Sequence, residues 1–482
     1  MKNFLLTLLI ICSLTSSQAL TASEISKKIN ELVTEYIDLG TFSGTVLVAK
    51  DGSIIYEKAY GLEDIESGKP ITMNTRFNIG SMGKTFTAIA ILQFVEEGKL
   101  KLDDKLSDML PEYKFANADK ITLAQILSHT GGLSNYMRHQ DYNQKKNQYT
   151  QIDQFLSLAV EVPPAGLPGE KLVYSNTGFL ILGKIIEKLS GKDYFQYIKE
   201  KIWDAAGMES TTTFAVNTKA DNKAGGYDLL PTGDKIYTGQ LDLPALSDGG
   251  TFANAYDLFK YANAIQSNVY LKEETKKLMT TKRADYGPVR GYGYGFILYS
   301  DKGENVFGHG GDCPGFSSDL NIFGDKGYTI IVLSNYGGLS RGLTTRIMDV
   351  INGTEYTKPK KPVSFVIYDA LQEKGAKYLL DNFPDNFNSI LKEKDYSPLD
   401  DDGLLNNLGY TLMQKGKLDD AIEIFTINTK LFPRVANVWD SLGESYMNKG
   451  DNKSAIKYYN KVLEIDPENA NAKTMISKIQ SK

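Results

Sequence analysis

The N-terminal part of the chain carries a helical pattern followed by two strand patterns. Apolar residues recur at helical spacing over residues 23–36. Strand-forming residues follow at 44–50 and 53–61, on either side of Asp51-Gly52, a pair typical of a tight hairpin turn. We therefore predict one amphipathic helix and then a β-hairpin.

The pattern changes again in the middle of the chain. Residues 81–265 read mostly as helices interrupted by glycine and proline loops. Strand patterns return at 291–299, 306–309, 318–323 and 328–334, and a helix pattern follows at 342–351. Strands at both ends of a helical insertion predict an antiparallel sheet built from both termini and flanked by the terminal helices, an α+β arrangement.

The last eighty residues contain an internal repeat. Small, aromatic and proline positions recur after 34 residues: Leu408-Gly409, Ala421, Phe425 and Pro433 return as Leu442-Gly443, Ala455, Tyr459 and Pro467. Trp439 and Tyr446 fill two more positions of the pattern, so this region resembles the tetratricopeptide-repeat family. We predict a linker with helices at 357–400 and an all-α repeat domain at 401–482. Either the helices within 363–391 complete the repeat array, or the repeats dock on the preceding domain.

The first residues predict a secretory signal peptide at 1–19. An apolar run at 4–12 follows a lysine and is too short to span a bilayer, while Ser17 and Ala19 suit a cleavage site. Two isoleucines precede Cys12 where a lipoprotein signal needs small residues, which argues against lipid anchoring. We expect a secreted protein, in the bacterial periplasm, with no transmembrane segment in the mature chain.

Charge and cysteine content narrow the classes of partner. The net charge of −5 argues against nucleic-acid binding, which needs clustered Lys and Arg. Without the signal peptide only Cys313 remains, so an intramolecular disulfide and a cysteine-rich zinc site are both excluded. We expect no metal and no cofactor.

Histidine content removes one apparent catalytic motif. Gly338 to Gly342 fit the G-x-S-x-G nucleophile elbow around Ser340, but that elbow requires a later histidine and none follows. We therefore interpret this motif as a turn. Of the three histidines in the chain, we interpret His129 as structural and His139 as part of a solvated loop.

A better nucleophile candidate is Ser81, three residues before Lys84 at the start of a predicted helix. This spacing places both side chains on one face, where the amine can activate the hydroxyl if burial lowers the lysine pKa. The spacing alone is weak evidence for catalysis, because it recurs at Ser389/Lys392 and Ser454/Lys457.

Two further elements carry polar groups suited to catalysis. In Tyr174-x-Asn176, a phenol near a lysine has a lowered pKa and can act as a general base, and the amide can bind a substrate amide. In His309-Gly310-Gly311, a polar residue and two glycines at a strand end let a substrate backbone approach the sheet.

Together, the three elements resemble the class C β-lactamase and serine penicillin-binding-protein family, which has Ser-x-x-Lys, Tyr-x-Asn and Lys/His-x-Gly in this order. The resemblance covers roughly residues 24–352 and includes the segments 121–133, 168–169 and 249–250. It implies a serine hydrolase domain at 20–356 with the β-lactamase/transpeptidase-like fold.

The resemblance also implies a role for each site residue. Ser81 would be acylated, while Lys84 and Tyr174 would move its proton, and Tyr174 would help to activate water for deacylation. The backbone N–H groups of Ser81 and Asp312 would form the oxyanion hole.

The resemblance further implies that Asn176, His309, Gly310 and Gly311 contact the substrate. His309 stands where typical β-lactamases carry lysine. An imidazole with an ordinary pKa of about 6.5 is largely neutral at pH 7 and suits a substrate carboxylate less well than lysine does. Family members with histidine at this position are mostly peptidases, esterases and amidases.

We therefore expect an enzyme that forms an acyl intermediate on Ser81 and acts on a D-amino-acid peptide, amide, ester or β-lactam. One alternative is a penicillin-recognising binding or scaffold protein with little turnover that recruits a protein partner through its repeats. Another is a repeat-based adaptor with a degenerate catalytic domain.

Overall fold

The computed structural model describes residues 20–239, 244–300, 302, 305–338, 340–381 and 383–481. The predicted signal peptide and Cys12 lie outside the described residues. Within the described part, no helix combines the length and the apolar character needed to cross a membrane.

An eight-stranded sheet forms the centre of the larger part of the protein. Its strand order is β2-β1-β14-β13-β12-β11-β10-β9, and every neighbouring pair is antiparallel. The described strands are β1 (Gly44–Lys50), β2 (Ser53–Tyr60), β3 (Leu62–Asp64), β4 (Lys69–Pro70), β5 (Phe77–Asn78), β6 (Tyr227–Leu229), β7 (Lys235–Tyr237), β8 (Phe252–Ala253), β9 (Ala284–Asp285), β10 (Arg290–Tyr292), β11 (Ile297–Tyr299), β12 (Val306–Cys313), β13 (Phe316–Phe323) and β14 (Tyr328–Ser334).

Helices surround the sheet and form the C-terminal part. The described α-helices are α1 (Ala22–Asp38), α2 (Lys84–Glu96), α3 (Leu106–Met109), α4 (Leu123–Leu127), α5 (Tyr142–Lys145), α6 (Ile152–Ala159), α7 (Asn176–Ser190), α8 (Tyr194–Ile198), α9 (Asp204–Ala206), α10 (Ala255–Gln266), α11 (Glu273–Met279), α12 (Ser340–Asn352), α13 (Val363–Leu380), α14 (Asp385–Glu393), α15 (Gly403–Gln414), α16 (Leu418–Leu431), α17 (Ala436–Lys449), α18 (Asn452–Ile465) and α19 (Ala470–Gln480).

Both faces of the central strands are buried, as β1 shows. Val46 and Val48 belong to a core shared with α1 and α12. Leu47 and Ala49 face the larger core of the helical insertion. Successive side chains of a strand point to opposite faces, so the uninterrupted apolar run of β1 fits a sheet covered on both sides. The predicted α+β sheet flanked by terminal helices is confirmed.

The structure corrects two predicted strands. Residues 291–299 form two short strands, β10 and β11, because Gly295 adopts a left-handed conformation (φ +77°) and the Gly293 N–H donates to the Phe296 carbonyl. The strand predicted at 306–309 extends to Cys313 as β12. Gly310 and Gly311 therefore lie inside a strand rather than at its end.

The C-terminal helices pair as the repeat pattern predicts. A Cβ atom added to Gly409 would lie 2.5 Å from the Phe425 ring, and one added to Gly443 would lie 3.2 Å from the Tyr459 ring. The small and aromatic positions of each repeat therefore meet between its two helices. Helices α13 and α14 share a core with the first repeat, so they extend the array.

The repeat part contacts the larger part at the tip of the β6–β7 hairpin. Lys415 forms an ion pair with Asp234, and both side chains are partly exposed. Beside them, a Cβ added to Gly233 would lie 3.8 Å from the Phe365 ring of α13. The cores of the two parts share no residue within the described chain.

Candidate active site

Ser81 lies in a 3-10 turn, Gly80–Gly83, that leads directly into α2. Gly80 has a left-handed conformation (φ +50°), and an added Cβ would lie 3.1 Å from the Asp312 nitrogen. A Cβ added to Gly311 would lie only 1.9 Å from the Ile79 carbonyl oxygen. Glycines on both sides therefore let the serine turn pack directly against β12.

Lys84 is fully buried beneath Ser81. Its Nζ lies 3.1 Å from Ser81 Oγ and donates to the Asp248 carbonyl at 2.6 Å. Burial lowers the pKa of Lys84 to about 8, although the Asp248 carboxyl opposes this shift. A large neutral fraction near pH 8 lets the amine accept the proton of Ser81.

Asp248 supports Lys84 and is a residue that sequence analysis missed. Its buried carboxylate accepts a hydrogen bond from the Tyr136 hydroxyl at 3.1 Å. Burial raises the pKa of this carboxyl, although the Lys84 charge opposes the change. The available signal was the 249–250 glycine pair, which follows Asp248 directly.

The Tyr174 ring lies beside the same amine, with Lys84 Nζ 5.2 Å from the ring centroid. Burial raises the pKa of the Tyr174 phenol above its ordinary value, and a hydrogen bond with Ser81 only partly opposes this. The predicted lowering of this pKa is therefore wrong, because burial outweighs the nearby amine, which is itself partly neutral. The phenol is protonated and can donate a hydrogen bond.

His129 holds the segment that carries Tyr174. The two rings lie 4.1 Å apart, and His129 Nδ1 accepts the Ser175 N–H at 3.1 Å. The His129 carbonyl accepts the Val173 N–H at 2.8 Å. Burial lowers the pKa of His129 well below its ordinary value, so the ring is neutral. These contacts agree with its interpretation as structural.

Asn176 begins α7, immediately after Ser175, the N-cap residue. Its Nδ2 lies 3.7 Å from Met137 Sδ, while its Oδ1 is buried and accepts no hydrogen bond from the described residues. A buried amide oxygen without a donor is unfavourable, so this atom can gain stability from a substrate N–H.

His309 is buried, and both of its ring nitrogens have partners. Nδ1 lies 2.6 Å from the Gly310 carbonyl oxygen, and Nε2 lies 3.1 Å from the Tyr292 hydroxyl. A carbonyl only accepts, so Nδ1 carries the proton and Nε2 accepts from Tyr292. Burial lowers the pKa of His309 to about 3, and the charges of Lys84 and Arg341 add to this shift. The ordinary pKa assumed from the sequence is therefore wrong here.

Asp312 lies next to the serine turn in β12. Among the described residues, β11 pairs with β12 only at Phe307 and Gly308. The rest of this edge of β12 therefore faces the serine turn instead of another strand. The Asp312 carboxylate accepts a hydrogen bond from Ser317 Oγ at 2.9 Å and pairs with Arg341. The backbone of Asp312 is placed beside Ser81, as an oxyanion hole requires.

The side chains of His139 and Ser454 bond to groups other than the residues of this cluster. The His139 side chain is only 8% exposed and so is not solvated; its Nε2 donates to Glu161 at 3.0 Å. Ser454 donates to the Asp451 carboxylate at 2.6 Å on a repeat helix, far in sequence from the other elements. Within the described chain, no group of three or more His, Cys, Asp or Glu side chains is placed to hold a metal.

Comparison with known proteins shows which families the two parts of the chain match. Residues 29–350 match the β-lactamase family, and residues 403–426 and 436–469 match tetratricopeptide repeats. Penicillin-binding protein 4* of Bacillus subtilis is 28% identical over 345 residues, which cover 67% of this chain and 75% of that protein.

Solved structures share the fold. A penicillin-binding protein from Bacillus halodurans is 29% identical, with a TM-score of 0.61 over 66% of this chain and 98% of that one. A D-amino acid amidase from Ochrobactrum anthropi has a TM-score of 0.60 over 69% of this chain and 99% of that one, at 21% identity. The chain therefore belongs to the β-lactamase family of serine hydrolases and carries tetratricopeptide repeats at its C-terminal end.

Proposed function

We propose that the protein is a secreted hydrolase that forms an acyl-enzyme on Ser81 with a D-amino-acid peptide, amide or ester. The observation that carries this proposal is the 3.1 Å approach of Lys84 Nζ to Ser81 Oγ, with the lysine pKa lowered to about 8. A buried amine of this pKa is suited to act as a general base near neutral pH.

In the acylation step, neutral Lys84 takes the proton as Ser81 Oγ attacks the substrate carbonyl carbon. The backbone N–H groups of Ser81 and Asp312 stabilise the charge that develops on the carbonyl oxygen. One such donor contributes about 3–4 kcal/mol to transition-state stabilisation. The protonated Tyr174 donates a proton to the departing amine or alkoxide and is reprotonated by Lys84.

Deacylation uses the same groups in reverse. Water replaces the leaving group, and Tyr174 with Lys84 accepts its proton as it attacks the acyl carbon. Lys84 then returns a proton to Ser81 Oγ as the ester bond breaks, which restores the free serine. Asn176 holds the amide on the acyl side of the substrate through its buried Oδ1. His309 and the glycines Gly310 and Gly311 form the wall along which the substrate lies.

The chain is proposed to consist of a signal peptide at 1–19, a hydrolase domain at 20–356, connecting helices at 357–400 and repeats at 401–482. The repeats are proposed to bind a protein partner rather than to take part in chemistry. A secreted, periplasmic location is proposed from the signal peptide that the sequence predicts.

A substrate screen tests the proposed activity. Purified protein is incubated with a chromogenic β-lactam, short-chain p-nitrophenyl esters, and D-alanyl peptides and amides. We expect ester and D-amino-acid turnover with weak β-lactam hydrolysis. Stable labelling of Ser81 without turnover of any substrate would instead support the penicillin-recognising binding protein.

The pH profile follows from Lys84 rather than from His309. Only the neutral amine accepts the Ser81 proton, so kcat/KM for a neutral ester should rise with pH and level off above about 8. With its pKa near 3, His309 should contribute no change between pH 5 and 9. A change in kcat/KM near pH 6.5 that is absent from His309→Gln would contradict this assignment.

Removal of the repeats should leave the chemistry intact. The ion pair between Lys415 and Asp234 is partly exposed, and such pairs contribute little, so a chain ending at Lys358 should keep ester hydrolysis within about twofold. The rate is compared with that of the full chain, with circular dichroism as the control for folding. Loss of most activity by a folded truncated chain would show that the repeats help to shape the site.

A further inference from the structure

Charged side chains cluster on one face of β12, close to the candidate site. In register with β13, Gly310 pairs with Asp319 and Asp312 pairs with Ser317, so these side chains share a face. A Cβ added to Gly310 would lie 2.9 Å from Asp319 Oδ1 and 3.3 Å from Arg341 Nε. The absent side chain of Gly310 therefore lets Arg341 lie against β12, where its charge acts on both Tyr174 and His309.

Arg341 is the cation of this site with the greatest access to a substrate. Lys84 is buried and bonded to the Asp248 carbonyl, and His309 is neutral with both nitrogens engaged. Arg290 lies 5.2 Å from the centroid of Tyr286, whose ring centroid is 6.1 Å from that of Tyr174, so it is one ring removed. The Arg341 side chain is 49% exposed.

The charge of Arg341 is already matched by carboxylates of the protein. Asp312 pairs with Arg341 through Oδ2 and accepts the Ser317 hydroxyl through Oδ1. The buried Asp319 carboxylate lies beside the same face of Gly310 as the Arg341 guanidinium. Burial raises the pKa of Asp319 to about 6, so it is largely ionised at pH 7.5. Asp312 and Asp319 thus both lie beside Arg341, and the Arg290 charge also acts on Asp319.

We propose that the Asp312–Arg341 ion pair makes the site select substrates whose leaving group is uncharged, such as amides and simple esters, over substrates with a carboxylate near the scissile bond. This inference rests on the proposed acyl-enzyme function. A substrate carboxylate must either displace Asp312 from Arg341 or lie beside it, and both arrangements are unfavourable. A neutral leaving group meets neither obstacle.

A matched pair of substrates tests the selection. N-acetyl-D-alanine esters of 3-hydroxybenzamide and 3-hydroxybenzoate release phenols that differ only in carboxamide or carboxylate. We expect wild-type kcat/KM to favour the carboxamide ester by about tenfold. Asp312→Asn keeps the backbone N–H and an acceptor for Ser317, yet frees Arg341, so the preference should fall to about one through faster turnover of the carboxylate ester.

The double variant Asp312→Asn/Arg341→Met is the control for charge. Without the guanidinium, its kcat/KM for the carboxylate ester should not show the increase expected in Asp312→Asn. Thermal unfolding of each variant checks that the fold is retained, and the substrate ratio cancels any general loss of activity. An unchanged ratio of the two kcat/KM values in Asp312→Asn, or a wild-type preference for the carboxylate ester, would overturn this inference but not the proposed function. Absence of turnover and of Ser81 labelling with both esters would overturn the proposed function and this inference together.

Discussion

Ser81→Ala is expected to abolish turnover, with a loss of about 10⁵- to 10⁶-fold in kcat, as is typical when a covalent nucleophile is removed. The variant keeps the 3-10 turn and the oxyanion donors but cannot form the acyl bond. A fluorophosphonate or penicillin adduct should map by mass spectrometry to the peptide that contains Ser81, and it should be absent from the variant.

The chain supplies a matched control in Ser454, which has a lysine at the same spacing, Lys457. Its hydroxyl is committed to Asp451, and the Lys457 amine lies over the Tyr458 ring at 5.1 Å. Ser454→Ala should therefore leave labelling and turnover unchanged. An adduct on Ser340, the serine of the G-x-S-x-G motif, would contradict the assignment of the nucleophile.

Lys84→Met should lower kcat by about 10²- to 10⁴-fold, the usual contribution of a general base. Methionine fills much of the same buried volume but cannot accept the Ser81 proton. The pre-steady-state rate of acylation by a p-nitrophenyl ester measures the step directly. The residual rate should also lose the rise toward pH 8, because the titrating amine is gone.

Lys457→Met is the matched control for this change and should behave like the wild-type enzyme. Retention of both the acylation rate and its pH dependence in a folded Lys84→Met protein would show that another group is the base. In that case Tyr174 would be the remaining candidate, and Tyr174→Phe would then carry the larger loss.

The architecture could be predicted because its signals are local and periodic. The pattern at 23–36 gave the helix α1, and Asp51-Gly52 gave the turn between β1 and β2. The two repeats were visible because small and aromatic residues recur at a fixed spacing. The prediction of one continuous strand at 291–299 was wrong, because three glycines among nine residues allow a turn that a strand pattern does not reveal.

The environment of the site could not be predicted, because pKa values depend on what surrounds each group in space. The motifs drew attention to Tyr174 and His309, but the sequence predicted a lowered pKa for Tyr174 and an ordinary pKa for His309. Burial reverses the first and shifts the second to about 3. Asp248 and Arg341 were overlooked because neither residue belongs to one of the three catalytic motifs.

The pairing of β1 with β14 has a consequence for how the protein is made. Gly44 lies opposite Ser334, so β1 can pair early with β2, but nearly three hundred more residues are synthesised before its second neighbour, β14, exists. Pairing over such a separation is slow, whereas repeat helices fold from contacts with their neighbours in sequence. During that interval the apolar side chains of β1 are exposed on both faces and prone to aggregation. A chaperone that covers this segment of the growing chain would therefore reduce aggregation during synthesis.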